Sequence, residues 1–332
     1  IGGTRLDVHA SAAYSIYRYQ YYDLQVGRVP HVGKRLPRVA WGSRGLFPLA
    51  DIEKSAEAPG FDIYASAQYR DFPRESFYGI GAGTPETNQT IFTHETINVP
   101  LTFGRGLTPH LVVEAAYVLR WIRYSEPQEG PFQEEIAGLA AQGRQFVPYL
   151  SFILKYDTSD SQIHPTRGFR FILQDDWAAG FMGSRGAAFN RLTADFRKYQ
   201  RVFGEKDVFA VRALAQYVGG GEIPLFDHAS LGGGNTLTAM RGYGLNRFLD
   251  RGKFLVTAEY RFPLVWRLGG NVFCDSGTVW PSLGGIDLGN IAFDAGAAEI
   301  FHQLKSEHPR NGTMDLKIAA ICMANEATLV TR

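Results

Sequence analysis

The chain holds only two cysteines, Cys274 and Cys322, among 332 residues, too few for the disulfide lattice that staples small secreted folds. It has no run of ~18 apolar residues, so no helix is expected to span a membrane. Charge of neither sign dominates: 34 Lys and Arg stand against 33 Asp and Glu, a net charge of +1. Without a basic field, a basic run or zinc-ligand spacing, nucleic acid is not an expected partner. Helical 3.6-residue periodicity is nearly missing as well. No signal peptide is visible, and Ile1 opens directly into loop-like and then strand-like sequence. The chain therefore reads as a mature or trimmed product.

What fills the sequence instead is alternation with a period of two, the mark of strands with one apolar and one polar face. Residues 4–16 set Leu6, Val8, Ala10, Ala12 and Tyr14 against Arg5, Asp7, His9 and Ser11. Residues 61–70 repeat it, and so do 91–103, 111–123, 146–157, 168–177, 188–200, 207–218, 253–263, 269–279, 290–302 and 312–322. At about 10–14 residues these segments exceed the ~5–6 of soluble sheets and match a tilted strand crossing a bilayer. Aromatics gather near segment ends (Tyr17, Tyr19, Tyr21, Tyr22, Trp121, Tyr124, Trp177, Trp266, Trp280), as interfacial girdles require.

Connections alternate in length. Short ones fall at 104–109, 201–206 and 264–268, and long ones at 73–90, 125–143, 178–187 and 219–252. Taken strand by strand, the long ones share one side, as in a transmembrane barrel with short periplasmic turns and long external loops. The fold expected is all-β: one transmembrane antiparallel β-barrel over residues 1–332. Segment 33–59, with three prolines and weak alternation, is either two short strands or an irregular insertion. Counting two strands there gives sixteen, with the long glycine-rich loop after the eleventh. Residues 327–332 are short for a full last strand and lack a terminal aromatic. A soluble β-sandwich or lipocalin-like barrel would instead bury the apolar faces and expose the polar ones.

In this scheme Cys274 and Cys322 lie on the thirteenth and fifteenth strands, both on lipid-facing parity. With strands ~4.8 Å apart they would sit nearly ~10 Å from each other, beyond the ~7 Å Cα limit for a bridge, so both are expected as free thiols.

Candidate chemistry is sparse. Asp157, Asp160 and His164 carry metal-ligand side chains, but their spacing matches no calcium or zinc loop. Pro165 and Gly168 mark the stretch as a turn instead. The triple glycines at 219–221 and 232–234 precede neither a helix pattern nor Gly-Lys-Ser/Thr. No serine sits in a Gly-x-Ser-x-Gly elbow. Neither an enzyme activity nor a cofactor or metal is expected.

The long loop carries the strongest constellation. A structureless loop of about 30 residues is normally functional or disordered, and glycines at 232, 233, 234, 242 and 244 allow close backbone packing. If the loop enters the barrel, Arg241 at its tip leaves bulk water and needs a carboxylate. Reflecting Glu259 through a hairpin centred near Arg267 lands on Asp275, so the two acids are expected side by side, facing inward. One guanidinium reaching both would relieve their repulsion through bidentate bonds. An Arg241–Glu259/Asp275 latch follows.

These residues resemble a known family. Leu231-Gly-Gly, Arg241-Gly242-Tyr243, Arg247-Phe248-x-Asp250-Arg251, Glu259-Tyr-Arg-Phe-Pro263 and Val272-Phe-Cys-Asp275-Ser-Gly-Thr-Val-Trp280 look like the bacterial surface-antigen barrels. That family includes the BamA and TamA assembly factors, organelle relatives and two-partner secretion transporters. Asp157, with Pro165-Thr166-Arg167-Gly168, resembles its pre-strand motif, and Phe77-Tyr78-Gly79-Ile80-Gly81 a segment common in its members. The resemblance covers roughly residues 60–322. Nothing in this chain resembles the POTRA domains that members carry ahead of the barrel, and 33–59 has no counterpart.

The resemblance implies a sixteen-stranded barrel whose loop arginine pairs inside the lumen with acids matching Glu259 and Asp275. It implies a bacterial outer-membrane location and contact with lipopolysaccharide or phospholipid. The implied partners are client outer-membrane proteins or subunits of an envelope complex. The implied function is insertion or translocation of proteins, or of lipids, with a weakly paired first–last strand seam as an edge template. The alternatives are an anchoring barrel without insertase activity and a plugged passive channel.

Overall fold

The structure, a computed structural model, describes residues 7–15, 18–28, 61–161, 164–183, 187–205, 207–233, 240–263, 269–285 and 292–294. Among these, twelve strands pair in order in one antiparallel sheet. They are β1 (Asp7–Tyr14), β2 (Gln20–Arg28), β3 (Phe61–Phe77), β4 (Thr90–Thr108), β5 (Leu111–Ser125), β7 (Tyr149–Asp157), β8 (Gly168–Ala178), β9 (Phe189–Arg201), β10 (Val208–Gly220), β13 (Gly252–Pro263), β14 (Gly269–Trp280) and β15 (Ala292–Asp294). A two-residue strand, β6 (Gln145–Phe146), adds to β5. No described helix is long and apolar enough to cross a membrane.

The alternation has an inverted sense. On β4, Leu101 and Phe103 are 44% and 51% exposed, while Thr102 between them is fully buried. On β8, Trp177 is 53% exposed beside Asp176 at 1%. Leu192 and Phe196 of β9 face outward while Arg191, Thr193 and Asp195 are buried. A soluble sheet protein hides its apolar face, because leaving it in water forfeits the hydrophobic term. This sheet hides charge and displays leucine and phenylalanine, as a strand with lipid on one side does.

Several expectations need correction. β2 pairs directly with β3, Gln20 opposite Asp71 through Arg28 opposite Ile63. Two barrel strands from 33–59 therefore do not stand between them, and the count of sixteen loses its support; the segment itself lies outside the described residues. The connection from 29 to 60 also joins strand ends on the short-turn side, an exception to the separation of long from short connections. β2 itself, missing among the alternating segments, is a full strand. Tyr124 and Trp280, expected in the girdles, are buried. Cys274 is a free, exposed thiol. Cys322, the strand at 312–322, most of the one at 290–302 and the first–last seam fall outside the described residues.

The connection from β10 to β13 is not structureless. It contains a 3-10 turn at Leu225–Asp227 and a two-stranded sheet of β11 (Ala229–Leu231) and β12 (Phe248–Asp250). It folds against the inner face of the main sheet. Leu225, Phe226 and Leu249 of the loop share a cluster with Phe77, Phe92, Val118, Tyr124 and Tyr149 of β3, β4, β5 and β7. Leu231, Met240 and Phe248 share another with Leu214, Leu255 and Val279 of β10, β13 and β14. An α-helix, α1 (Gln133–Ala141), adds the fully buried Ile136 to the first cluster. Each fully buried leucine, phenylalanine or methionine contributes ~1.5–3 kcal/mol. Packing therefore supplies most of the loop's attachment, and its polar contacts decide where it sits.

Candidate functional site

The backbone brings Arg241 to the inner face by a tight local fold. Gly232 takes a positive φ of 118°, and a Cβ there would lie 2.2 Å from the Gly244 carbonyl oxygen. Only glycine admits that approach. The Gly233 N–H donates to the Tyr243 carbonyl at 2.9 Å, and the Met240 N–H to the Gly233 carbonyl at 3.1 Å. Gly242 also has a positive φ, 91°. Tyr243 meets Phe248 edge-on, ring centroids 5.3 Å apart.

Arg241 then reaches Asp275 of β14 by three hydrogen bonds: Nε at 2.7 Å, Nη2 at 2.9 Å and its own backbone N–H at 3.1 Å. Asp275 is fully buried and also accepts from Thr257 Oγ1 at 2.7 Å. The guanidinium carbon lies 3.3 Å from the Phe273 ring centroid, a cation–π contact. Glu259 is a lesser partner: its carboxylate stands 3.6 Å from Arg241 Nη1, while Arg261 Nε donates to it at 2.6 Å.

The expectation that Glu259 and Asp275 sit side by side is wrong. Glu259 lies opposite Phe273, and Asp275 opposite Thr257. The acids are diagonal neighbours on one face, which gives Asp275 the bidentate bond and leaves Glu259 shared between two arginines.

A second attachment, which sequence reasoning missed, holds the root of the loop. Asp227 accepts from Arg120 Nη1 of β5 at 2.7 Å, also from Arg120 Nη2, and from Arg191 Nη1 of β9 at 2.9 Å. Arg191 in turn donates Nη2 to Asp176 of β8 at 2.8 Å. All four side chains are buried. Burial alone would raise the Asp227 carboxyl, but Arg120 and Arg191 hold it below its ordinary value. Phe226 next to it stacks on Phe92 and His94, at 5.2 and 5.1 Å.

A third set of contacts ties the loop to the end of β3 and to the β3–β4 connection. Asn246 Nδ2 donates to Glu75 at 2.6 Å, and Arg247 donates to the Thr84 carbonyl at 2.6 Å and to its hydroxyl at 3.1 Å. The Gly81 N–H donates to the Leu249 carbonyl at 2.8 Å. Phe248 and Asp250 are buried on β12, with the Asp250 carboxylate accepting from the Arg251 N–H at 2.8 Å.

The pre-strand motif lies apart from the latch, in the turn from β7 to β8. Asp157 is fully buried, 3.2 Å from Arg170 Nε, and accepts from the Ser159 N–H at 2.7 Å. Asp160 accepts from the N–H groups of Thr166 (2.8 Å) and Arg167 (3.2 Å) and from the Thr166 hydroxyl. Burial raises the Asp160 carboxyl, but those bonds together outweigh it and bring it down to about 2. Pro165 is buried, the Arg167 side chain is exposed, and Gly168 has a φ of 96°. The turn is bonded within itself and to β9, where Arg201 Nε donates to the Thr166 hydroxyl at 2.7 Å. Among the described residues no cluster of His, Cys, Asp or Glu is arranged to hold a metal ion.

Residues 51–295 match the Omp85 superfamily domain. The chain belongs to the Omp85 superfamily. That membership indicates an outer-membrane β-barrel, in keeping with the outward apolar face. Among solved structures, BamA from Haemophilus ducreyi lacking POTRA domains 1–3 is similar, with a TM-score of 0.54 at 14% identity over 93% of this chain and 55% of that one. CdiB from Acinetobacter baumannii gives 0.49 at 10% identity over 87% and 45%. The chain thus spans about half the length of these two proteins. No curated protein matches it.

Proposed function

We propose that the chain is an outer-membrane barrel domain of the Omp85 superfamily that assists insertion or translocation of proteins at that membrane, without covalent chemistry. Its partners are the surrounding lipopolysaccharide or phospholipid and client outer-membrane proteins or envelope-complex subunits. The observation that carries the reading is the loop from β10 to β13, packed against the inner face of an outwardly apolar sheet and bonded through Arg241 and Asp227. Superfamily membership over residues 51–295 supports it. The loop keeps the barrel in shape and closed, and the first–last strand seam offers client strands an edge to pair with.

Full-length chain reconstituted in liposomes is expected to accelerate the folding of a client barrel added in urea. Folding at the protein-free rate would contradict the reading. The same inserted loop favours a second reading, a plugged channel, which requires conductance once the loop is released.

A further inference from the structure

The outward face of the sheet is not evenly charged from end to end. At the end of the long connections it carries carboxylates among its charges, with Asp71 opposite Glu95 across β3 and β4 and Asp175 on β8. At the end of the short turns, the charged side chains described at outward strand positions are Arg105 of β4 and Lys198 of β9. Both are exposed cations.

Lys198 sits in an apolar surround. Phe169 on β8 and Val211 on β10 lie directly opposite it, and Phe196 and Gln200 flank it on β9. The diagonal places hold Phe171, Phe209, Ala213 and, just ahead of β8, Arg167. No carboxylate stands among these neighbours. The acids at this end lie in the turns beneath. Asp160 is bonded within its turn and stands 3.4 Å from Arg201 Nη2, Asp207 accepts from the Tyr260 hydroxyl at 3.0 Å, and Glu205 is exposed. Asp195 is on the opposite face of β9, buried with Arg212. The Arg167 side chain is 71% exposed and 4.0 Å from Asp160, at the limit of an ion pair.

A lysine amid aromatic and aliphatic side chains on a lipid-facing strand extends its ammonium to the headgroup layer, where it attracts anions. The surface leading from it into the bilayer suits an acyl chain. Tyr156, Phe169 and Phe196 form one aromatic patch, with successive ring centroids 5.4 and 5.9 Å apart. On β10, Ala213 lies opposite Phe196 and Ala215 opposite Ala194, so small side chains leave a shallow strip along the boundary with β9.

We propose that Lys198, with Arg167 below it, is a headgroup site for an anionic phospholipid of the periplasmic leaflet, whose acyl chain lies along that strip. The proposal rests on reading the chain as an outer-membrane barrel with its long connections outside. The occupant is a glycerophospholipid of net negative charge, because Lys198 meets no acid on its own face.

The test is native mass spectrometry of the full chain from detergent micelles, titrated with phosphatidylglycerol or with phosphatidylcholine of the same acyl chains. Phosphatidylglycerol should be retained at lower concentration, with the preference weakening as salt rises from about 50 to 500 mM. Lys198→Gln should weaken its retention about fivefold, one cation's share of the attraction to an anionic headgroup. Arg105→Gln removes an equal charge from the same end of the face, on β4, and should leave retention unchanged. Both residues are exposed, so neither substitution disturbs packing. An equal loss in the two variants would mean a diffuse field in place of a site, and equal retention of the two lipids would mean no headgroup preference. Either result overturns the proposal. Client folding is read separately in phosphatidylcholine liposomes. Acceleration there without a phosphatidylglycerol preference would leave the insertion reading standing, and the converse would leave only this site.

Discussion

Asp227, in the root of the inserted loop, is bonded to Arg120 on β5 through both terminal nitrogens of the guanidinium. The tip of the same loop is bonded through Arg241 to β14, at the other end of the run of strands from β5. The loop therefore crosses the inner face with an ion pair at each end and apolar packing between.

Asp227→Asn should be the most damaging single change in the loop. It leaves Arg120 and Arg191 buried without their shared carboxylate, and breaking a buried pair costs ~3–5 kcal/mol. Urea unfolding of the micelle-bound chain should show a lower midpoint with an unchanged slope.

Arg241→Lys keeps the charge but loses the two-nitrogen fork on Asp275. The expected effect is local: faster amide exchange over residues 240–247 and a global midpoint lowered by no more than ~1–2 kcal/mol. Hydrogen exchange read by mass spectrometry distinguishes this from general unfolding.

Much of this was legible from residues alone, and the misses share a physical cause. Alternation says which face a residue takes, and Asp275 and Glu259 share the face that meets Arg241. Sliding one strand by two residues preserves every face, so alternation could not see that Glu259 pairs with Phe273. Asp227 was invisible because its partners Arg120 and Arg191 are distant in sequence and no spacing joins them. The one available signal was two inward-parity arginines within strands, each needing an acid. The direct pairing of β2 with β3 depends on long-range contact and carries no local mark.

Acid should loosen the turn between β7 and β8 in a defined window. The folded-state pKa of Asp160 is lowered from 3.8 to about 2. Its contribution is therefore fully present above the unfolded value and is lost as pH falls through the folded one. Amide protection at Thr166 and Arg167 should hold at pH 5 and decline between about pH 4 and 2. Asp160→Asn should remove that decline.

The exposed thiol of Cys274 gives a probe of the outer face. In a Cys322→Ser background, a fluorophore on Cys274 in liposomes should be quenched by spin-labelled lipid and spared by aqueous iodide. The reverse pattern would mean that this face meets water.

Planar-bilayer conductance tests the loop's role most directly. The wild-type chain should stay closed, Arg241→Ala should flicker, and the double variant Arg241→Ala with Asp227→Asn should open more often and for longer, the apolar packing still reclosing the loop. A wild-type chain that conducts as freely as the double variant would contradict a loop held inside the barrel at both ends.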